Sequence, residues 1–201
     1  MKKMILLFLL FVVVYPVDAN RRWRMKFTYE KPEYLRVRDS SGEVQTYWYM
    51  LYAVTNPTEE EHHISLELKV ITDDNHVYYN SLFPAIEKLV EAKKKQKFLN
   101  VLEMKGEEFD GKIGPNETKL GIALFGRIDD EMDEMNVHIS GLVDVISYEE
   151  NSVWKDLKVK VITYSRKGDE FNRHLDLVEY VGSTWITPIR KKIRDLTQKS
   201  Q

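Results

Sequence analysis

The chain has 201 residues, with 30 Lys and Arg against 32 Asp and Glu, a formal net charge of −2 and no cysteine. Near-balanced charge removes the electrostatic reason to expect nucleic-acid binding. The missing thiols exclude a disulfide framework, thiolate metal centres, a cysteine nucleophile and a lipidated cysteine anchor.

The first nineteen residues read as an address. Met1-Lys2-Lys3 is a basic start, the run from Met4 to Val14 is unbroken apolar, and Tyr15-Pro16-Val17-Asp18-Ala19 follows. That order of charge, apolar stretch, helix breaker and small residue predicts a secretory signal peptide over residues 1–19, cleaved after Ala19. An uncleaved anchor is the alternative, but the apolar run to Val17 is shorter than the roughly 20 residues that cross a bilayer as a helix. Arg21, Arg22 and Arg24 are unusual just beyond a cleavage site. No later stretch has transmembrane length, so the exported chain is expected to carry no integral membrane span and to sit in the periplasm or outside the cell.

The remainder predicts strands separated by turns. Trp23 to Tyr29 and Tyr34 to Arg38 are short candidates parted by Lys31-Pro32. Val44 to Thr55 is the longest, and both its alternating sets are apolar: Val44, Trp48, Met50, Tyr52 and Val54 on one, Tyr47, Tyr49, Leu51 and Ala53 on the other. A strand apolar on both faces is expected to be covered on each side. Asn56-Pro57-Thr58 breaks it. Ile64, Leu66, Leu68 and Val70 then alternate with polar residues, and Asp73-Asp74-Asn75 turns toward Val77 to Tyr79.

From Pro84 the period changes to that of a helix, with Ile86, Leu89 and Val90 in phase, Glu87 early and Lys93 to Lys95 late, as the helix dipole favours. One helix is expected from Pro84 to Lys95, laid over an edge or open end of the sheets. A glycine-marked loop, 104–117, precedes the alternations Leu120-Ile122-Leu124, Met135-Val137-Ile139 and Leu157-Val159-Val161. Gly168-Asp169 turns the chain into Phe171 to Tyr180, Trp185-Ile186 is a last short strand, and 191–201 is a polar tail. About nine strands and one short helix predict a mainly β fold, an immunoglobulin-like β-sandwich occupying residues 20–190 as a single domain.

Three segments carry a resemblance: Tyr47 to Asn56, an aromatic strand ending in Thr-Asn; Ile113 to Phe125, leading through Asp129-Asp130 to Val137 to Leu142; and Gly168 to Phe171, closed by Trp185. Together they resemble a family of uncharacterised exported β-sandwich proteins from planctomycete-type bacteria. The resemblance implies an exported sandwich and brings no family active site. Asn116 stands where such loops more often carry Gly after Pro115.

Candidate sites are few. Glu59-Glu60-Glu61-His62-His63 is rich in metal-ligating types, but adjacent imidazoles on a strand point to opposite faces and lack the helical spacing of a zinc site. A solvated turn is the expected reading. Asp129 to Glu134 gathers five carboxylates, yet Glu134 and Ser140 occupy the sixth and twelfth places of a calcium loop, where Gly and Glu are needed. A solvated acidic loop is expected, with a divalent cation as the alternative. Gly168 to Phe171 shares letters with the diguanylate cyclase signature but has Lys167 where its second Gly belongs, and reads as a hairpin turn.

Asn116-Glu117-Thr118 is a glycosylation sequon beside a bacterial-looking signal. The histidines at 62, 63, 76, 138 and 174 complete no Ser-His-Asp arrangement. No catalytic, cofactor-binding or metal-binding residue is assigned, and no cofactor is expected. Core packing accounts for most of the aromatics, with Trp23, Trp154 and Trp185 the ones to examine for exposure. The sequence thus points to an exported, non-enzymatic binding or scaffolding protein of the cell envelope, meeting proteins through sheet edges or the loops at 104–117 and 126–135. A carbohydrate-binding module using exposed aromatics is the alternative, and a hydrolase with carboxylates gathered on one sheet is the third.

Overall fold

A computed structural model describes residues 22–105, 111–128, 132–149, 152–166 and 178–195. In chain order the first strands are β1 (Arg22–Arg24), β2 (Lys26–Tyr29), β3 (Glu33–Arg38) and β4 (Val44–Thr55). Then come β5 (His62–His63), β6 (Glu67–Thr72) and β7 (Val77–Tyr79), followed by helices α1 (Pro84–Lys94) and α2 (Val101–Lys105). The second half holds β8 (Lys112–Ile113), β9 (Thr118–Gly126), β10 (Glu134–Ser140), β11 (Val143–Glu149), β12 (Ser152–Arg166) and β13 (Val178–Asp195). The fold is mainly β and every pairing of named strands is antiparallel.

The larger sheet has seven strands but is simpler as lanes. β10 and β11 form one bent lane, because β12 runs back beside both, pairing Ser165 with Glu134 at one end and Ser152 with Glu149 at the other. β6 and β1 lie on the far side of that lane, β7 flanks β6, and β13 borders β12 from Ser152 to Arg166. The bend falls at Gly141, whose φ is +85° and where a Cβ would lie 2.1 Å from the Ser65 carbonyl. Only glycine fits there. In the smaller sheet β4 is central, with β9 on one edge and β2 and β3 in line on the other.

The doubly apolar pattern of β4 is explained by what covers it. Trp48, Met50, Tyr52 and Val54 share a core with Leu68 and Val70 of β6, Met135, Val137 and Ile139 of β10, and Ile162 and Tyr164 of β12. The two sheets therefore pack face to face. Tyr49 and Leu51 point the other way, to a second cluster with Ile122, Leu124 and the helix residues Ile86 and Val90. The helix thus lies on the outer face of the smaller sheet rather than over an edge or open end, its Ile86-Val90 stripe meeting the apolar side chains of β4 and β9 there. Pro84 opens it, and Lys95 closes it in the left-handed region at φ 55°.

Several other expectations change. The segment from Trp23 to Tyr29 is two strands in different sheets, because the chain crosses between layers at buried Met25. A second helix, α2, forms where only loop was expected: Asn100 Oδ1 accepts from the Leu102 and Glu103 N–H groups, and Glu103 accepts from the Asn100 N–H, a reciprocal N-terminal cap. β11 lies where the alternation was not read. The final strand is not a short piece at Trp185-Ile186 but spans 18 residues to Asp195, into the segment expected as tail. The count therefore exceeds nine strands and one helix. The proposed signal peptide, Gly168 to Phe171 and His174 lie outside the described residues.

Candidate functional sites on either side of β1

The expected site residues are dispersed. His62 and His63 form β5, pairing with Ile113 and Lys112, and their side chains part as strand geometry requires: His62 is half-buried and His63 exposed. His76 is exposed and lies 2.6 Å from Asp74. His138 is half-buried on the opposite face of the larger sheet from the core, and burial, with help from the Lys69 charge, lowers its pKa. Of the acidic stretch, Asp129 to Glu131 lies outside the described residues. Asp133 and Glu134 donate their backbone N–H groups to Asp73 at 3.1 and 3.2 Å, which makes this end a capped turn. Among the described residues, no three His, Asp or Glu side chains are grouped to hold a metal ion. Asn116 occupies the left-handed region at φ 57°, a conformation asparagine tolerates, so it serves the turn that glycine would.

Two clefts flank β1. The first, about 690 Å³, is acidic and is lined by Trp23, Glu59 to His62 and Asp144. The loop that builds it hangs from Asn56, which is fully buried. The Asn56 Nδ2 donates to the carbonyls of Glu60 at 2.7 Å and Gly114 at 3.0 Å, while its Oδ1 accepts from the Thr58 N–H at 3.0 Å and the Thr58 hydroxyl at 2.8 Å. Thr58 Oγ1 also lies 2.7 Å from His62 Nε2. Its other close oxygens, Asn56 Oδ1 and the Glu60 carbonyl, can only accept. The Thr58 hydroxyl thus sits among the Asn56 amide oxygen, the Glu60 carbonyl and the His62 ring, and ties the loop to β5. The imidazole also stacks on Trp23 at 5.1 Å, and Asp144 sits 3.0 Å from Lys155.

The second cleft is smaller, about 290 Å³, and basic. Arg24, Lys26 and Lys160 line it, with buried Met25 as floor and Phe27, Pro57 and Trp185 as apolar walls. The crossing of the chain from β1 to β2 brings residues of both sheets to this spot. Lys160 and Trp185 are cross-strand partners in the larger sheet. The Arg24 guanidinium lies 4.8 Å above the Trp185 ring, and the Lys160 ammonium 5.7 Å above Tyr29. Sequence reasoning noted Arg24 as an oddity near a cleavage site and Trp185 as worth testing. It had no means to join them, since they are brought together only by sheet pairing.

A third cleft, about 620 Å³, lies between α1, α2 and β9, where Glu87, Glu91 and Glu103 face Phe98. Burial raises the Glu87 pKa, and the charges of Glu103 and Glu91 add to that. Glu91 and Glu103 are each taken up by a backbone N–H, of Phe98 and Asn100. The three tryptophans singled out by sequence are all half-buried and all engaged: Trp23 by His62, Trp154 by Arg190 and Lys192, Trp185 by Arg24. Trp48 is core. No helix among the described residues is long and apolar enough to cross a membrane. No family model, curated protein or solved structure matches the chain. Its class, by architecture, is an antiparallel β protein with two main sheets packed face to face and a helix on one outer face.

Proposed function

We propose that this chain is an exported, non-enzymatic β-sandwich of immunoglobulin-like character that binds or scaffolds other components of the cell envelope, with a protein as its principal partner. Export is supported by the order of charge, apolar run and small residue in residues 1–19. The observation that carries the binding reading is β13. It borders the larger sheet for 18 residues, and no strand among the described residues pairs with its other edge. Val181, Ile189 and Ile193 along it are 60%, 56% and 50% exposed. A long edge with apolar side chains is a template for strand addition by a partner, and Pro188 is tolerated in such a strand because it sits at an edge.

The test is affinity capture from an envelope extract with the wild-type protein and with a Val181→Lys/Ile189→Lys double variant. A protein retained by the wild type and lost by the variant is the expected result. An identical set retained by both overturns the edge as the binding surface. A second reading, carbohydrate binding through aromatics, is favoured by one observation: Trp185 stands half-exposed at the mouth of a cavity. Glycan-array binding that disappears in Trp185→Ala would support it.

A further inference from the structure

The cations of the basic cleft differ from several others on this protein. Lys93, Lys94, Lys112, Lys155 and Arg190 each have a carboxylate oxygen within ion-pair distance. Arg24 and Lys160 have aromatic rings instead, and neither they nor Lys26 has an ion pair with any described carboxylate. All three line one cavity, and no acidic side chain is among its described lining residues. A ring face holds a cation in place without using up its N–H donors. Three like charges in so small a space repel one another, and an anion placed among them would relieve that.

The cavity also has a shape preference. Its volume, about 290 Å³, sits at the lower end for small-molecule sites, which run from roughly 300 Å³ upward. One ring-sized molecule fits. Met25, Phe27 and Pro57 present carbon surface on which the C–H face of a sugar ring can rest. Arg24 brings the planar fork that pairs with a carboxylate, while Lys26 and Lys160 act as point charges.

From these observations we propose that the cleft formed by Arg24, Lys26, Lys160 and Trp185 binds a ring-sized organic anion, an acidic sugar of the uronate type. This rests on the second reading above for the ligand's class and adds the charge that selects within it. The carboxylate meets Arg24 and Lys160, and the ring lies against Phe27 and Pro57. Trp185 holds the Arg24 guanidinium in position rather than stacking on the sugar with the face that Arg24 covers.

The experiment is a calorimetric titration of the full chain, at low salt, with glucuronate, glucose and inorganic phosphate as separate probes. Glucuronate is expected to bind at roughly millimolar strength, as a small ligand of this size allows, with glucose showing no saturable heat. Arg24→Gln and Lys160→Gln should each weaken glucuronate about tenfold, and Lys88→Gln, on exposed helix surface, should not. Lys26→Gln serves as a further variant should either substitution lower the Tm. Equal binding of glucose and glucuronate would overturn charge selection while leaving the carbohydrate reading standing. Phosphate binding as tightly as glucuronate would overturn the sugar assignment. No saturable binding of glucuronate, or binding unchanged in both Arg24→Gln and Lys160→Gln, would overturn the site.

Discussion

The acidic and basic clefts share one strand and differ in how their polar groups are matched. On the acidic side several groups answer each other: Asn56 holds Thr58, Thr58 is hydrogen-bonded with His62, His62 stacks on Trp23, and Asp144 faces Lys155. On the basic side Arg24 and Lys160 are steadied only by ring faces, and Lys26 has no described ion pair. The Asn56–Thr58–His62 contacts hold the loop of the acidic cleft in place. A cleft with donors left over is arranged to receive something. Alternation along β1 separates the two, sending Trp23 to one side and Arg24 to the other.

The largest perturbation should come from the residue on which the crossing turns. Met25 is 2% exposed, packs in the core between the sheets and floors the basic cleft. Met25→Ala is expected to cost about 3 kcal/mol by the usual cost of a core truncation, read from urea unfolding. A cost under about 0.5 kcal/mol, the range of surface substitutions, would show that the crossing is not anchored there. Next is Asn56, which supports Pro57 on one side and Thr58 on the other. Asn56→Ala leaves buried carbonyls without donors and should cost about 2 kcal/mol, while disturbing both clefts together.

A smaller effect separates acid sensitivity from either cleft. Burial raises the Glu33 pKa, but hydrogen bonds from Tyr49, Lys93 and Lys94 outweigh it and take the group to about 2. Because its folded pKa is depressed below the ordinary 4.5, its contribution to stability is full above that value and is lost as pH falls toward 2. Urea midpoints measured between those limits should fall less steeply in Glu33→Gln than in the wild type, and equal slopes would contradict the network. This contact ties α1 to β3, away from β1. Arg24→Gln should do least to stability, within about 0.5 kcal/mol as for exposed residues, while changing anion binding most.

How much of this was legible in the sequence follows from which forces are local. β4 could be read to the residue because its apolar residues alternate between two buried faces and Asn56-Pro57 ends it. The start of α1 was readable from Pro84, and its charges followed the dipole. Its resting place was not, since Ile86 and Val90 fit any apolar surface and only the tertiary fold shows which remained uncovered. β13 was missed because its pattern is broken by Gly182 and Pro188 and by bulges against β12, so no period of two survives along it. α2 rests on a cap made within Asn100 to Glu103 that a glycine-marked loop obscured. Trp185 and Arg24 were visible as residues but not as neighbours, because the sites here are made by strands distant in sequence.

Whether the basic cleft receives what its unmatched donors suggest can be seen directly in a crystal structure of the full chain with glucuronate. The carboxylate is expected within hydrogen-bonding distance of the Arg24 guanidinium and the Lys160 ammonium, with the acidic cleft unchanged and Thr58 still bonded to His62. Glucuronate seated in the acidic cleft, or density for it nowhere near Arg24, would contradict the account.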